Sequence, residues 1–207
     1  MEVVKAMESL MVIPHSGYVE RHSHIYYRGV MKQERLNLYL IDMKYIRDLH
    51  RVDDRVSSVS PQIGKQHRIY VGLVVICNKR QYLIPLSHPV EKHNKMKPRA
   101  DFDKIIDRKG KLIGVLNYNL MIPVETAQLK KVELKPDGRD TRSEKYYKQL
   151  CIDELTWCRK NQENIINKAN VLYNLCNTDS GYKGKNRCLD FKRLEYICDR
   201  YNSTEER

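Results

Sequence analysis

Apolar residues recur along this chain in two rhythms. Up to about residue 140 they come in short β-prone runs separated by turn residues, and from Thr141 onward they recur at a spacing near 3.6. The runs Leu36–Ile41, Arg68–Cys77, Gln81–Leu86, Phe102–Ile106, Leu112–Tyr118 and Met121–Leu129 predict strands. Only Asn78-Lys79-Arg80 separates the second from the third, a connection short enough for an antiparallel hairpin. Asp42 has the chemistry of a helix N-cap, and Tyr45, Ile46 and Leu49 then fall at helical spacing, which predicts a short helix over Met43–Arg51. Serines with Pro61 and Gly64 make a loop of Asp53–Gln66, Gly110 centres a turn over Asp107–Lys111, and Pro136–Arg139 closes the strand region.

The second rhythm is a stripe of Tyr147, Cys151, Leu155, Cys158, Ile165, Ala169, Leu172 and Cys176. It predicts one long helix or a pair broken near Asn161, ended by Gly181 and Gly184. A last helix, Leu189–Tyr201, docks through Phe191, Leu194 and Ile197, and the tail Ser203–Arg207 is expected to fray. Residues 1–35 show mixed charge and no period and read as an extension, with Met31 as a second candidate translation start just before the first strand. The pattern as a whole predicts an α+β fold in which one domain over 36–207 builds a compact, strongly bent antiparallel sheet or partial barrel. Helices cover that sheet, and the C-terminal region is a long helical one.

Charge narrows the partners. A net charge of +12 and a pI near 9.4 on 207 residues favour polyanions, and nucleic acid before an anionic membrane. No run of about 18 apolar residues exists to span a bilayer, and Lys5 and Glu8 interrupt any signal-peptide core, so a cytoplasmic protein without membrane contact is expected. The six cysteines contain no CxxC pair and no Cys/His metal spacing. They read as reduced, buried thiols, with no metal and no cofactor expected.

Candidate chemistry concentrates in Tyr82–Lys97, YLIPLSHPVEKHNKMK. An apolar strand ends there at Ser87 and His88, between Pro85 and Pro89, and Lys92, His93, Lys95 and Lys97 follow too densely to be a packed face. Histidine gives and takes protons near neutral pH, lysine offers a point charge to a phosphate, and serine offers a hydroxyl donor. The plainer reading of the same residues is a solvated basic loop after a strand.

Six short motifs in fixed order carry a resemblance. They are Lys44-Tyr45-Ile46, Tyr70 to Leu73 (YVGL), Tyr82 to Ser87 (YLIPLS), Lys92 to Lys97 (KHNKMK), Met121 to Val124 (MIPV) and Tyr147 to Leu150 (YKQL). Over Leu36 to about Tyr201 the chain resembles the ToxN/AbiQ family of type III toxin-antitoxin toxins, most of all its CptN-like members. The resemblance implies a Kid/MazF-like fold and a metal-independent endoribonuclease that cuts adenine-rich RNA to a 2′,3′-cyclic phosphate. It also implies a repeat-derived RNA pseudoknot antitoxin, processed by the toxin and bound in a closed ring-shaped complex, with cellular or phage RNA as substrate. The family's helix tyrosine matches Tyr45 and its basic residue before the Tyr-Val-Gly strand matches Arg68. Lys92, His93, Lys95 and Lys97 fit its basic segment. The chain departs from the family where a second serine is usual, since His88 stands there, and Val90 replaces a lysine. Either Ser87 takes over the hydroxyl role or His88 supplies an acid/base group in its place.

On that reading the substrate's own 2′-hydroxyl is the nucleophile. Ser87 holds the phosphate, Arg68 and Lys92 meet the developing charge, His88 or His93 transfers protons, and Tyr45 orients or protonates. Lys95, Lys97, Arg99, Lys104, Lys109 and Lys111 form the expected RNA track, and Tyr146 and Tyr147 are base-stacking candidates, Tyr147 being assigned to the core by its place on the stripe. The rival classes are a non-catalytic basic RNA-binding module and a structural partner protein.

Overall fold

A computed structural model describes residues 35–56, 69–76, 80–178 and 180–205, with side chains described outside 69–76 and 202–205. The expectations for residues 1–34, for most of the Asp53–Gln66 loop, and for Arg68, Cys77 and the end of the tail lie outside them.

Seven described strands form one antiparallel sheet: β1 Leu38–Ile41, β2 Ile69–Ile76, β3 Arg80–Ser87, β4 Phe102–Ile106, β5 Leu112–Asn117, β6 Ile122–Val124 and β7 Leu129–Lys131. Their order is β4-β5-β3-β2-β1-β7, with β6 also paired to β3, so among the described strands β4, β6 and β7 each have one neighbour and the sheet stays open. β2 and β3 are the expected hairpin partners, Tyr70 opposite Pro85 and Val75 opposite Gln81. β3 changes partner along its length: Gln81–Leu83 face β6, and Leu86 and Ser87 face β5. Pro85 falls between these two ladders, so neither β6 nor β5 is paired with it, and its partner is Tyr70 of β2 on the other side.

The run Met121–Leu129 is not one strand. β6 pairs with β3 and β7 with β1, and β2 lies between those two, so the chain must break to reach both. It does so in a tight turn over Thr126–Gln128, where the Gln128 side chain accepts from the Glu125 N–H at 3.0 Å.

Helix α1, Met43–Val52, starts where Asp42 Oδ1 accepts the Tyr45 N–H at 2.8 Å, and it buries Tyr45, Ile46 and Leu49 as their spacing requires. After the short α2, Glu91–Lys95, the C-terminal part is α3 Arg142–Lys160, α4 Gln162–Asn177 and α5 Phe191–Glu205. Thr141 and Glu144 cap α3 reciprocally, and the expected break falls at Asn161, whose amide donates to Trp157 O at 2.8 Å. Three expectations need correction here. Tyr147 is 40 % exposed, because the first turns of α3 lie outside the core that buries Cys151, Leu155 and Cys158. α4 stops at Asn177, so Gly181, with φ of 64°, serves the following loop rather than the helix end. The tail stays helical to Glu205.

α3 lies against β4 and β5, α4 against β2, and α5 against β6 and α1. Glu195 of α5 ties these layers together. Its Oε1 accepts the hydroxyls of Tyr82 at 2.9 Å and Tyr173 at 2.7 Å, Lys192 donates to its Oε2 at 3.1 Å, and Phe191 packs on both tyrosine rings. The five described cysteines are free and buried.

A second buried carboxylate lies under the sheet. Glu154 of α3 is 3 % exposed and presses on β5 at Gly114, where an added Cβ would meet its Oε1 at 2.5 Å. Burial, with a smaller contribution from Asp153, pushes its carboxyl up to about 8. The folded protein therefore keeps this proton where the unfolded chain has lost it, and stability falls as pH rises from the ordinary carboxylate range to about 8. Glu154→Gln is expected to remove that slope, worth on the order of 4 kcal/mol at most at the alkaline end. Urea denaturation at pH 5 and pH 8 checks it: the variant gains on the wild type at pH 8 and not at pH 5.

Candidate functional site

β3 ends at Ser87 as the sequence predicts, and its pairing decides what meets there. Ser87 stands opposite Val115 of β5, and Val115 stands opposite Lys104 of β4. Directly opposed residues in an antiparallel sheet share a face, so Ser87, Val115 and Lys104 form one row across three strands. The next row on the same face is Asn117 and Phe102. Asp103, Ile105, Gly114 and Leu116 alternate to the other face, where Glu154 lies.

The segment expected as an irregular basic loop folds back over the Ser87 face as α2. Five residues are too few to show a helical period, and the apolar partner of this turn, Phe102, comes seven residues after it. His93 is the one side chain α2 buries, at 9 % exposure, with its ring 5.5 Å from that of Phe102. The Val90 N–H donates to His93 Nδ1 at 2.9 Å, and Lys104 Nζ donates to Asn94 O at 2.9 Å, which fixes both ends of the turn. Burial first, then the charges of Lys92 and Lys104, hold the His93 imidazole below its ordinary range. A neutral ring that accepts at Nδ1 carries its proton on Nε2. His93 is therefore set up as a hydrogen-bond donor, with its acceptor nitrogen already engaged.

His88 follows the last strand residue and is exposed, and Ser87 is half-buried. Ser87 Oγ accepts a hydrogen bond from Asn117 Nδ2 at 3.2 Å. Sequence reasoning missed Asn117, whose only local signal is an amide closing an apolar strand. Lys92, Lys95, Lys97 and Arg99 are exposed on and after α2. Lys109 and Lys111 are exposed in the β4–β5 turn, where Asp107 Oδ1 accepts both of their backbone N–H groups at 2.8 Å. Lys104, expected only as RNA track, is half-buried and inside the site. Tyr146 is 69 % exposed at the start of α3.

Of the remaining expected residues, Arg68 lies outside the described residues, and Tyr45 is described away from this rim. Tyr45 is fully buried, its hydroxyl donates to Pro123 O at 2.7 Å, and its ring meets Tyr201 at 5.0 Å. Pro123 pairs with Tyr82, five residues before Ser87 and about 17 Å along the strand at about 3.3 Å per residue. Burial also raises the Tyr45 hydroxyl well above its ordinary range. In this structure the Tyr45 hydroxyl is engaged with the β6 backbone and joins α1 to β6.

Among the described residues no three His, Cys, Asp or Glu side chains converge as metal ligands, and no helix is long and apolar enough to cross a membrane. The rim thus offers a hydroxyl, one exposed and one buried imidazole and a row of cations, a set suited to a phosphodiester.

Comparison with known proteins agrees on one group. The family described as Toxin ToxN, type III toxin-antitoxin system, matches residues 37–199. Endoribonuclease ToxN of Bacillus thuringiensis subsp. kurstaki is 26% identical over 174 residues, 81% of this chain and 85% of the relative. Two solved structures share the fold. One is from work on selective toxin inhibition by a non-coding RNA pseudoknot in bacterial type III systems, with TM-score 0.69 and 25% identity over 82% of this chain and 99% of the other. The second is AbiQ, a lactococcal anti-phage endoribonuclease of a type III system, with TM-score 0.70 and 24% identity over the same shares.

Proposed function

The chain belongs to the ToxN family of toxins from type III toxin-antitoxin systems, and on that premise we propose that it is a metal-independent endoribonuclease that cleaves adenine-rich RNA. The substrate's 2′-hydroxyl attacks its own phosphate, the 5′-oxygen leaves, and a 2′,3′-cyclic phosphate remains. This chemistry needs a proton acceptor, a proton donor and fixed positive charge around a phosphorane.

The observation that carries the reading is the cross-strand row. It sets the Ser87 hydroxyl in line with Lys104, beside an exposed imidazole at the strand end. Ser87 donates to a non-bridging phosphate oxygen, and Lys104 and Lys92 meet the charge that grows there. His88, exposed and with no hydrogen-bond partner among the described residues, handles the protons. His93 contributes its Nε2–H as a neutral donor. Lys95, Lys97 and Arg99 hold the strand on one side, and Lys109 and Lys111 extend the track along the β4–β5 hairpin.

That a relative of the same fold is inhibited by a non-coding RNA pseudoknot supports an RNA inhibitor here. We assign it the repeat-derived pseudoknot expected above, bound in a closed toxin–RNA ring, and cellular or phage RNA as the target.

Purified chain, freed of bound RNA and incubated with adenine-rich RNA in chelator, is expected to give fragments ending in a cyclic phosphate. Intact RNA under those conditions, or salt-sensitive binding without cleavage, overturns the proposal. Tyr45→Phe supplies a contrast: losing one buried hydrogen bond is expected to lower stability by about 1 kcal/mol. Its cleavage rate should match that of the wild type, and a loss of tenfold or more in fully folded protein would return Tyr45 to the chemistry.

A further inference from the structure

We infer that Asn117 is a positioning residue, which turns the Ser87 hydroxyl hydrogen toward the scissile phosphate. The inference rests on the proposal that Ser87 contacts that phosphate. A serine hydroxyl rotates about its Cβ–Oγ bond and either donates or accepts wherever a partner offers. In a strand-end serine left to itself, that hydrogen has nearby backbone carbonyls to satisfy it. Here one lone pair of Oγ is already taken.

The register accounts for how Asn117 comes to do this. Ser87 opposes Val115, so Asn117, two residues further on β5, is its diagonal neighbour on the same face, within reach of a short amide side chain. Asn117 also opposes Phe102, the ring that carries His93, so the amide is confined between the serine and the base of α2. Its Nδ2 donates to Ser87 Oγ at 3.2 Å in a partly buried setting. Because the amide supplies the hydrogen of this bond, the serine's own O–H is not spent on it. That O–H remains for an acceptor on the open side of the rim, where His88 and Lys92 are exposed. Donation into Oγ also polarises the O–H, so the bond it makes to an oxygen gaining charge is stronger than the bond to a ground-state phosphate.

The predicted signature is a loss in kcat with KM little changed. Asn117→Ala should lower kcat about tenfold, because the hydroxyl is freed rather than removed. Asn117→Asp, nearly the same shape, should be worse, on the order of a hundredfold, since a carboxylate accepts the Ser87 hydrogen and turns it away from the phosphate. A purely structural amide predicts the reverse order, with the isosteric Asp milder than Ala.

Single-turnover cleavage by wild type, Asn117→Ala, Asn117→Asp, Ser87→Ala and the Ser87→Ala/Asn117→Ala double variant tests it, with thermal denaturation confirming that each is folded. Support is an Asp variant slower than Ala and a double variant no slower than Ser87→Ala alone. Additive losses, or an Asp variant as fast as wild type, overturn the role of Asn117. If Ser87→Ala itself keeps the full rate, the underlying reading of Ser87 fails, and the role of Asn117 falls with it.

Discussion

Alanine at His88 is expected to slow RNA cleavage by about 10²- to 10⁴-fold, the usual loss when a general acid or base is removed. The expectation separates the two histidines that the sequence offered as equals. His93 is buried against Phe102, accepts a backbone N–H at Nδ1 and is held neutral by burial and two lysines, so it has no open nitrogen with which to take a proton. His88 is exposed where the strand releases the chain. His93→Ala should therefore act mainly through the seating of α2: a smaller rate loss and a lower melting temperature. His88→Ala should leave the melting temperature alone and still lose most of the rate. Single-turnover rates measured beside thermal denaturation decide the matter. A full rate in His88→Ala, or the larger rate loss in a fully stable His93→Ala instead, contradicts the division.

Glu195→Ala is expected to lower stability by about 3–5 kcal/mol, a large share of what holds a domain of this size together. The carboxylate is 8 % exposed, and Oε1 alone satisfies two buried tyrosine hydroxyls. Its removal leaves both without an acceptor, each at a cost of about 1–3 kcal/mol, and opens space beside Phe191. Lys192 is more than half exposed and adds little to the loss. Glu195→Gln keeps an acceptor oxygen and should lose no more than about half as much. Urea unfolding of the three proteins at one pH measures this, and an alanine variant within about 1 kcal/mol of wild type would show that water or a neighbour replaces the carboxylate.

What could be read from the sequence was local. Asp42 as a cap, the inward face of α1, the break at Asn161 and the end of β3 at Ser87 each depend on residues within a turn or two, and each falls where spacing placed it. What could not be read was set by register. Asn117 reaches Ser87 across 30 positions, Glu195 reaches Tyr82 across 113, and neither pairing leaves a periodic trace. The burial of His93 was hidden for a related reason: a turn as short as α2 has no rhythm of its own, and its environment comes from β4. The split of Met121–Leu129 followed from strand order, which no single run reveals. Tyr147 continued the stripe in phase but lay beyond the core that gives the stripe its meaning.

The point where β3 exchanges β6 for β5 bears on how this strand can tolerate change. Tyr82–Ile84 are locked among rings and aliphatic side chains, whereas Leu86 and Ser87 answer to a different neighbour. Pro85 stands at that seam and, on the flank where both ladders pause, asks for no bond that a new sequence downstream could fail to provide. The tip beyond it can thus be rewritten while the anchored half keeps its seat.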